Sequence, residues 1–323
     1  MKFIILGCGR IGATHSQAIL RCRGASIAVC VDRNMKQANK FAKRFGAELA
    51  TSSLKEALEY PDTEAVIVAL PSTIRREPIF KCLKAGKDVL VEKPFSLKLC
   101  EAKRLFEKAQ SLDRLIVSGQ CLRFAKIYQL TKKLIAEGKI GNVLEIIYRR
   151  TGLIEQPLTS WWSDPAMTKG FILHHHASHT LDLLLWMLGE RARSIDALSR
   201  SFPGFEYEDS AAILMNTEKN TLVTISESFR SRRKYRDIII IGSEGTIAID
   251  GINTFYLNDR KRTIKQSGDD LFTEQIKAFV TAAKLHNEVE QVSSESVVNG
   301  IEALEAAMKS RLCGRRIKLK STI

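Results

Sequence analysis

The sequence lacks any long apolar run. No hydrophobic stretch approaches the roughly 20 residues needed to cross a bilayer. The first stretch, Phe3-Ile4-Ile5-Leu6, is too short for the core of a signal peptide. With 45% hydrophobic and 27% charged residues, the composition is typical of globular proteins. We therefore expect a cytoplasmic protein without membrane contact, and a chain of 323 residues is long enough for two domains of about 150 residues each.

Paired cysteines are also missing. The seven cysteines are scattered and odd in number, and no C-x-x-C spacing occurs. This pattern argues against a disulfide framework and against a zinc knuckle, and reduced thiols fit a reducing compartment.

Recognised nucleic-acid motifs are absent, as is any basic helix with interleaved aromatic residues, although the net charge is +14. We therefore expect no nucleic-acid partner. The positive excess lies mainly before residue 120, which would suit steering of an anionic cofactor or substrate. The alternative is that the charge serves only solubility.

A basic run, Arg230-Ser231-Arg232-Arg233-Lys234-Tyr235-Arg236, lies between two predicted strands. It would either meet an anionic substrate or partner, or form a solvated hairpin. We favour the hairpin, because charge runs usually belong to solvated surfaces.

Hydrophobic patterning changes at about residue 120. Before it, short apolar runs without polar alternation are separated by helical segments, which indicates a parallel sheet covered on both faces. After it, short alternating strands indicate a largely antiparallel sheet with one exposed face. We predict an α/β protein with a doubly wound domain over 1–119 and an α+β domain over 120–323. The strands predicted for the first domain cover 2–7, 26–31, 65–70, 89–91 and 115–118.

A glycine fingerprint, Gly7-x-Gly9-x-x-Gly12, directly follows the first predicted strand and opens a helix. These glycines allow a tight turn and close approach of the backbone to a pyrophosphate, whose charge the helix N-terminus attracts. Asp32 ends the second strand, 20 residues after Gly12, where its carboxylate can accept a hydrogen bond from a ribose hydroxyl. Together these features predict that a dinucleotide cofactor binds.

Asp32 and Arg33 bear on which dinucleotide binds. The carboxylate would repel a 2′-phosphate and so favours NAD. Arg33 has three possible roles. It would stack on adenine, or it would neutralise a 2′-phosphate, which would favour NADP, or it would remain a solvated surface side chain. We predict NAD, with NADP as the alternative.

Glu92-Lys93-Pro94 follows the predicted strand Val89-Leu90-Val91. Ligands of parallel sheets bind outside the carboxyl ends of the strands, so a lysine here lies where chemistry takes place. A buried lysine would exchange a proton near neutral pH, and Pro94 restricts Lys93 to an extended backbone. The alternative is a surface lysine at the end of a strand.

Four of the six histidines fall in His174-His175-His176-Ala177-Ser178-His179. If the segment is helical, His175 and His179 share a face because they are four residues apart. Because H-E-x-x-H is absent and no third ligand is evident, we predict no metal site. General acid or base chemistry fits better, since imidazole titrates near neutral pH. We expect His174 and His176 to pack or to support their neighbours.

Taken together, the motifs resemble those of the Gfo/Idh/MocA oxidoreductases, the family of glucose–fructose oxidoreductase and inositol dehydrogenase. The resemblance covers essentially the whole chain. Besides the glycine fingerprint, it rests on Ala69-Leu70-Pro71-Ser72, Ala85-Gly86-Lys87-Asp88-Val89-Leu90-Val91-Glu92-Lys93-Pro94, Arg123-Phe124, Gly138-Lys139-Ile140-Gly141 and His179-Thr180-Leu181-Asp182.

The resemblance implies a Rossmann domain followed by a domain whose open-faced sheet mediates homodimers or homotetramers. It also implies hydride transfer between NAD or NADP and a secondary alcohol of a sugar, cyclitol or sugar derivative. Lys93 and His179 map to the family's catalytic lysine and histidine, His175 is the third candidate catalytic residue, and Arg123 joins these three as a substrate contact. The implied cofactor contacts are Gly7, Gly9, Arg10, Ile11, Gly12, Asp32, Arg33, Leu70, Pro71, Ser72, Arg75, Glu92, Lys93 and Gln120.

Two segments depart from the family pattern. His175 stands where the family's Asp-x-Gly-x-His motif has aspartate, and Ala177 replaces its glycine. Arg75 stands where the family often has a histidine, and Leu70 replaces a threonine. Replacing a carboxylate by imidazole changes which group acts as base and which substrate hydroxyl is held.

The altered histidine motif keeps a second class of function open, a non-catalytic cofactor sensor or regulatory protein on the same fold. Retention of both Lys93 and His179 favours the enzyme, since a sensor needs neither residue. Another enzymatic alternative is reduction of an imine, an aldehyde or a ring double bond.

Overall fold

The chain folds into two units, each built on one sheet. The structure is a computed structural model that describes residues 1–155, 160–168, 170–201, 207–266 and 269–320. The first unit comprises Met1–Phe124 and Gly268–Val297, and the second comprises Ala125–Ser267 and Val298–Ile323.

The first unit contains a six-stranded sheet in the order β3-β2-β1-β4-β5-β6, and every strand pair is parallel. This is the strand order of doubly wound dinucleotide-binding sheets, as predicted. Its central strands are almost entirely buried, which explains their continuous apolar sequences. The strands are β1 (Lys2–Leu6), β2 (Ser26–Val31), β3 (Leu49–Thr51), β4 (Thr63–Val68), β5 (Asp88–Val91) and β6 (Ile116–Ser118).

Helices connect these strands, and α1 begins directly after the glycine turn. The start of α2 is fixed by the Asn34 side chain, which accepts hydrogen bonds from the amides of Lys36 and Gln37 at 3.0 and 3.3 Å. The helices are α1 (Arg10–Arg21), α2 (Met35–Phe45), α3 (Leu54–Glu59), α4 (Arg76–Lys84) and α5 (Leu99–Ser111).

The second unit contains a nine-stranded sheet in the order β14-β13-β12-β11-β7-β10-β9-β8-β15. The pair β7–β10 is parallel and the other pairs are antiparallel, so the predicted largely antiparallel sheet is confirmed. The strands are β7 (Val143–Leu153), β8 (Ala192–Arg200), β9 (Ser210–Thr217), β10 (Leu222–Ser228), β11 (Arg230–Gly242), β12 (Thr246–Asp250), β13 (Thr254–Leu257), β14 (Arg260–Thr263) and β15 (Ile317–Lys318).

The remaining helices include α9, which packs against α1 in the first unit. In the second unit, α6 packs against α8. None of the helices in the described ranges combines the length and apolar character that a bilayer span requires. The helices are α6 (Lys126–Ala136), α7 (Pro165–Thr168), α8 (Ser178–Leu188), α9 (Leu271–Leu285) and α10 (Ser294–Cys313).

Residues of the nine-stranded sheet alternate between a buried face and an exposed face. On β9, for example, Ile213 and Met215 are buried whereas Leu214 between them is 49% exposed. Leu198 on β8 is 68% exposed and Leu222 on β10 is 47% exposed. The exposed face therefore carries apolar side chains, which we call the leucine face (Leu198, Leu214 and Leu222).

The predicted hairpin over the basic run is wrong, because all seven residues belong to β11. The run pairs with β7, where Tyr235 lies opposite Thr151 and Arg236 opposite Arg150. Two arginines of these paired strands have carboxylate partners: Arg149 forms an ion pair of 3.0 Å with Asp237, and Arg230 forms one of 3.4 Å with Asp209.

Candidate active site

The glycine turn at the start of α1 has both closely packed and open positions. Gly7 has a positive φ of 105°, and a Cβ there would lie 2.7 Å from the carbonyl oxygen of Ala69. A Cβ at Gly12 would lie 2.2 Å from the carbonyl oxygen of Gly7. At Gly9, by contrast, a Cβ would meet no atom of the described residues within 4 Å. The first and third glycines thus allow the turn to pack, and the second leaves an open cradle.

This cradle fits the pyrophosphate of a dinucleotide. Arg10 is exposed and Ile11 half-buried, and their amides lie in the first turn of α1. The first amides of a helix have no carbonyl partner within it and carry the positive end of the helix dipole. The backbone therefore presents donors next to open space, as an anionic ligand requires.

Asp32 is fixed at the carboxyl end of β2, beside the glycine turn. Its Oδ2 accepts a hydrogen bond of 3.1 Å from the Cys8 amide, and its Oδ1 accepts one of 2.9 Å from the Asn34 amide. The carboxylate is half-buried, whereas Arg33 is exposed. A fixed carboxylate here can accept a hydrogen bond from a ribose hydroxyl and disfavours a 2′-phosphate.

Lys93 lies just beyond the carboxyl end of β5, in a segment held by Glu92. The Glu92 side chain is buried, and its Oε1 lies 2.7 Å from Nε2 of buried His15 on α1. Its Oε2 accepts a hydrogen bond of 3.0 Å from the Lys93 amide. Lys93 itself is half-buried, and the Lys93–Pro94 peptide bond is cis. A buried carboxylate thus holds the backbone of the candidate catalytic lysine.

Arg75 holds the same segment from the other side. Its buried guanidinium donates to the carbonyl oxygens of Glu92 and Pro94, the latter at 3.0 Å. Burial lowers the pKa of Arg75 to about 10, so it remains a cation at neutral pH. Burial alone would raise the pKa of Glu92. The hydrogen bond and charge of His15 and the charges of Lys93 and Arg75 outweigh it and lower the pKa below its usual value.

The segments after β4 and β6 complete the carboxyl edge of this sheet. Leu70, Pro71 and Ser72 follow β4 and are half-buried, and Gln120 follows β6 and is buried. Gly119 was missed at the sequence level, because no glycine motif marks it. A Cβ there would lie 3.2 Å from both Cα and Oε1 of Glu92, so this glycine lets β6 end against the lysine segment.

Arg123 is completely buried in the first unit. Its Nη1 donates to the Gln291 carbonyl oxygen at 3.0 Å and to Ser296 Oγ at 2.6 Å, and its Nη2 donates to the Ser296 carbonyl oxygen at 3.3 Å. A guanidinium so placed ties two chain segments together. This arrangement does not favour the substrate contact that the resemblance implies.

The histidine-rich segment of the second unit is not a continuous α-helix. Residues Ile172–Ala177 form a π-helical turn, and α8 begins at Ser178. His175 therefore lies in the π-helical turn and His179 in α8, so the two histidines belong to different helical segments. Such turns are frequent at functional sites. His179 lies half-buried in the first turn of α8.

His175 is buried among aromatic rings. Its ring centroid lies 5.2 Å from that of Trp161, 5.7 Å from that of Trp162 and 6.1 Å from that of Phe171. The sequence did not indicate these rings as neighbours, since Trp161 and Trp162 are more than ten residues away in the chain. The family's aspartate position thus holds an imidazole that packs among aromatic rings.

The other two histidines pack against the unit's interior. Burial lowers the pKa of His174 to about 4, so this ring is neutral at pH 7. The His176 ring centroid lies 4.2 Å from that of Phe229. In the part of the chain that the structure describes, no group of three or more His, Cys, Asp or Glu side chains is placed to hold a metal ion.

Sequence reasoning also missed a polar cluster next to His179. Thr180 Oγ1 donates a hydrogen bond of 2.5 Å to Oε1 of Glu227, a carboxylate that is 1% exposed. Glu227 lies on β10 directly opposite Arg150 of β7. In β10 every second residue is buried, and Glu227 falls in the same series as the buried residues Val223 and Ile225. This alternation was the feature of the sequence that could have located the carboxylate inside the unit.

The sheet order, the glycine cradle and the fixed carboxylate of Asp32 define the first unit as a dinucleotide-binding Rossmann domain. The family description "Oxidoreductase family, NAD-binding Rossmann fold" matches residues 1–120, and "GFO/IDH/MocA C-terminal domain" matches residues 128–248. The chain belongs to the Gfo/Idh/MocA family of NAD-binding oxidoreductases.

Individual relatives are distant in sequence but cover most of the chain. The myo-inositol 2-dehydrogenase of Thermotoga maritima is 26% identical, with 100% of both chains covered. The 4-carboxy-2-hydroxymuconate-6-semialdehyde dehydrogenase of Sphingobium is 26% identical over 72% of this chain and 73% of that relative. An oxidoreductase from Agrobacterium radiobacter, solved with NAD+, L-tartaric acid and magnesium, shares the fold with a TM-score of 0.86, 19% identity and 98% coverage of both chains.

Proposed function

We propose that this oxidoreductase is an NAD-dependent dehydrogenase of a secondary alcohol on a sugar, cyclitol or sugar derivative. The observation that carries the proposal is the position of Lys93. It lies beyond the carboxyl end of β5, at the edge of the sheet where ligands bind. The Glu92 side chain accepts a hydrogen bond from its amide, and Arg75 donates to the carbonyl oxygens of its two neighbours, Glu92 and Pro94. A sensor that only binds NAD would not need a lysine so firmly positioned.

NAD, when bound, accepts a hydride from the carbinol carbon of the substrate. The glycine turn and Asp32 bind and orient the cofactor. We assign His179 as the general base that removes the hydroxyl proton, because neutral imidazole is a base near pH 7. Lys93 donates a hydrogen bond to the carbinol oxygen, and His175, whose ring is held by Trp161, Trp162 and Phe171, orients the substrate.

The names of the relatives support this assignment. Two relatives whose similarity extends over all or nearly all of this chain are named inositol 2-dehydrogenases, one from Thermotoga maritima and one from Rhizobium meliloti. The Sphingobium relative is named for an aldehyde substrate that also carries a carboxyl group. We therefore propose a polyhydroxylated substrate and include charged derivatives in its class.

Reduction of NAD+ by a panel of candidate alcohols tests the proposal. The panel contains inositols, neutral sugars, sugar acids, sugar phosphates and sugar nucleotides, and NADH formation is followed by absorbance. Lys93→Met should leave NADH binding nearly unchanged and abolish turnover. Lys98→Met is the matched control, because Lys98 is exposed in the same segment and should turn over normally.

The sensor is the rival outcome of the same experiment. If NADH binds tightly and no compound of the panel reduces NAD+, the dehydrogenase proposal is wrong and the sensor is favoured. If Lys93→Met retains full turnover, the enzyme stands but Lys93 is removed from the mechanism.

We further propose that the chain is a homodimer or homotetramer in which a second copy covers the leucine face. Three large apolar side chains on adjacent strands are costly to leave in water. For the compartment we propose the cytoplasm. Five of the seven cysteines are buried, and no disulfide joins cysteines among the described residues, which suits a reducing environment.

A further inference from the structure

Two arginines lie side by side on the buried face of the second unit's sheet. Arg150 of β7 is directly opposite Arg236 of β11, and Glu227 of β10 is directly opposite Arg150. All three share a face with buried neighbours such as Tyr148 and Ile238. Like charges directly opposite each other destabilise a sheet, so this pair calls for a compensating charge.

The protein supplies only part of that charge. Glu227 contributes one carboxylate to the two guanidinium groups, and its Oε1 accepts a hydrogen bond from Thr180. Among the described residues no ion pair joins Arg150 or Arg236 to a carboxylate, and Nε of Arg236 is buried without a hydrogen-bond partner. Other arginines of these strands do have partners: Arg149 pairs with Asp237, and Arg230 with Asp209.

The arginine pair belongs to the surroundings of His179. Thr180, which binds Glu227, is the residue that follows His179 in α8. Burial raises the pKa of Tyr148 to about 12; the charge of Glu227 adds to this, whereas Arg150, a hydrogen bond with Thr180 and Arg236 act in the opposite direction. These groups therefore form one cluster under the first turn of α8.

The cluster also reaches the histidine-rich turn. The guanidinium carbon of Arg150 lies 5.6 Å from the ring centroid of Phe229, and that ring packs against His176. Both arginines are half-buried rather than sealed, so a ligand group can reach them. A guanidinium pair in this setting matches the geometry of a carboxylate or phosphate, which can accept two hydrogen bonds from each arginine.

We propose that Arg150 and Arg236 bind an anionic group of the substrate, a carboxylate or a phosphate. The natural substrate is then a sugar acid or a sugar phosphate rather than a neutral sugar or inositol. This inference rests on the proposed function, because it names the substrate class for the His179 site. Glu227 places one negative charge on the same face of the sheet, and the substrate anion supplies the second.

Calorimetric titration of the NAD+-saturated protein tests the inference without turnover. The probes are D-gluconate and D-glucose 6-phosphate, with D-glucose as their neutral counterpart. We expect at least one anion to bind at least tenfold more tightly than D-glucose, and a preference between the two identifies the carboxylate or the phosphate as the recognised group. Arg150→Gln and Arg236→Gln should each weaken that binding by roughly 10- to 100-fold, as expected for loss of a hydrogen bond to a charged group.

Two further variants guard against misfolding and general charge effects. Arg149→Gln removes an arginine from the opposite face of β7 and should leave anion binding unchanged, and Arg236→Lys should recover part of the lost affinity. Equal binding of all three probes, or equal losses for Arg149→Gln and Arg150→Gln, would overturn the inference.

The outcome separates this inference from the proposed function. Arginine-dependent anion binding without any hydride transfer would leave the anion site intact and remove the dehydrogenase. Turnover of neutral alcohols that is unchanged in Arg150→Gln and Arg236→Gln would support the dehydrogenase and refute the anion site.

Discussion

His15 and Glu92 form a buried hydrogen bond of 2.7 Å that joins α1 to the segment carrying Lys93. Helix α1 begins at the glycine turn, so one side-chain pair connects the cofactor cradle to the candidate catalytic lysine. The edge of the Phe272 ring packs against His15, with 5.1 Å between ring centroids, and shields the pair from water. The carboxylate in turn fixes the Lys93 amide.

Replacing His15 by alanine should damage both stability and catalysis. The change leaves a buried carboxylate without its main partner, and breaking such a pair costs about 3 kcal/mol of unfolding free energy. His15→Gln keeps a donor within reach and should recover much of the loss. Chemical denaturation and steady-state kinetics measure both effects, and kcat should fall more than KM rises, because Lys93 loses its position rather than its charge.

His286→Asn provides the matched control for that pair. His286 is exposed at the end of α9 in the same unit, with a positive φ of 52° that asparagine accepts. Its stability and kcat should equal those of the unmodified protein. If His15→Ala behaves like this control, the buried pair does not position the lysine.

Gly9 and Gly12 should respond in opposite ways to added side chains. Gly9→Val places its methyl groups in open space, so the unfolding free energy should change little, while the filled cradle should weaken NADH binding at least tenfold, or about 1.4 kcal/mol. Gly12→Ala forces a Cβ against the Gly7 carbonyl and should cost about 1–3 kcal/mol of stability. Thermal melts and NADH fluorescence titrations distinguish the two, and equal thermal destabilisation would contradict the open cradle.

Asp32 should decide between NAD and NADP. Asp32→Asn removes the negative charge but keeps an oxygen that can accept from the Asn34 amide. We expect the KM for NAD to rise roughly tenfold, since a hydrogen bond to a charged group is lost, and the KM for NADP to fall. Arg33→Gln in the same background tests whether Arg33 meets the 2′-phosphate, in which case the gained NADP activity disappears. An unchanged ratio of NAD to NADP activity in Asp32→Asn would argue against this role.

The leucine face should control the oligomeric state. Leu214→Arg puts a charge at the centre of this face, and light scattering after gel filtration should show a smaller particle than for the unmodified protein. Ile252→Arg is the control, because Ile252 is 69% exposed in the turn after β12 and its change should leave the mass unaltered. A monomeric unmodified protein would refute the proposed assembly.

The features that the sequence predicted are local. The strand–glycine–helix unit, Asp32 at the end of β2 and Lys93 beyond β5 each depend on a few consecutive residues and on one type of periodicity. β3 was not predicted, because three residues (Leu49–Thr51) are too few to show a pattern. The basic run was assigned to a hairpin, because charge masks the strand tendency that pairing with β7 reveals.

The features that the sequence did not predict depend on distant contacts. His15 and Glu92 are 77 residues apart, and no sequence pattern links a helix histidine to a carboxylate at a strand end. The arginine pair depends on the register between β7 and β11, where a shift of one residue would place Arg150 and Arg236 on opposite faces of the sheet. A local sequence motif therefore identifies a candidate functional side chain, whereas the residues that position it or change its pKa are brought to it by the fold.

His174 should make the protein less stable as the pH falls. Burial lowers the pKa of His174 to about 4 in the folded chain, whereas an exposed histidine titrates near 6.5. Above pH 6.5 neither state binds the proton, so stability is unaffected. Between pH 6.5 and about 4 the unfolded chain takes up the proton and the folded chain does not, which lowers the unfolding free energy by up to about 3 kcal/mol. His174→Asn removes this titration, so in urea unfolding the stability of the unmodified protein should fall relative to that of His174→Asn as the pH decreases from 6.5 to about 4, and the change from their difference at pH 7.5 should be largest near pH 4. Parallel curves over the whole range would show that His174 is not the group responsible.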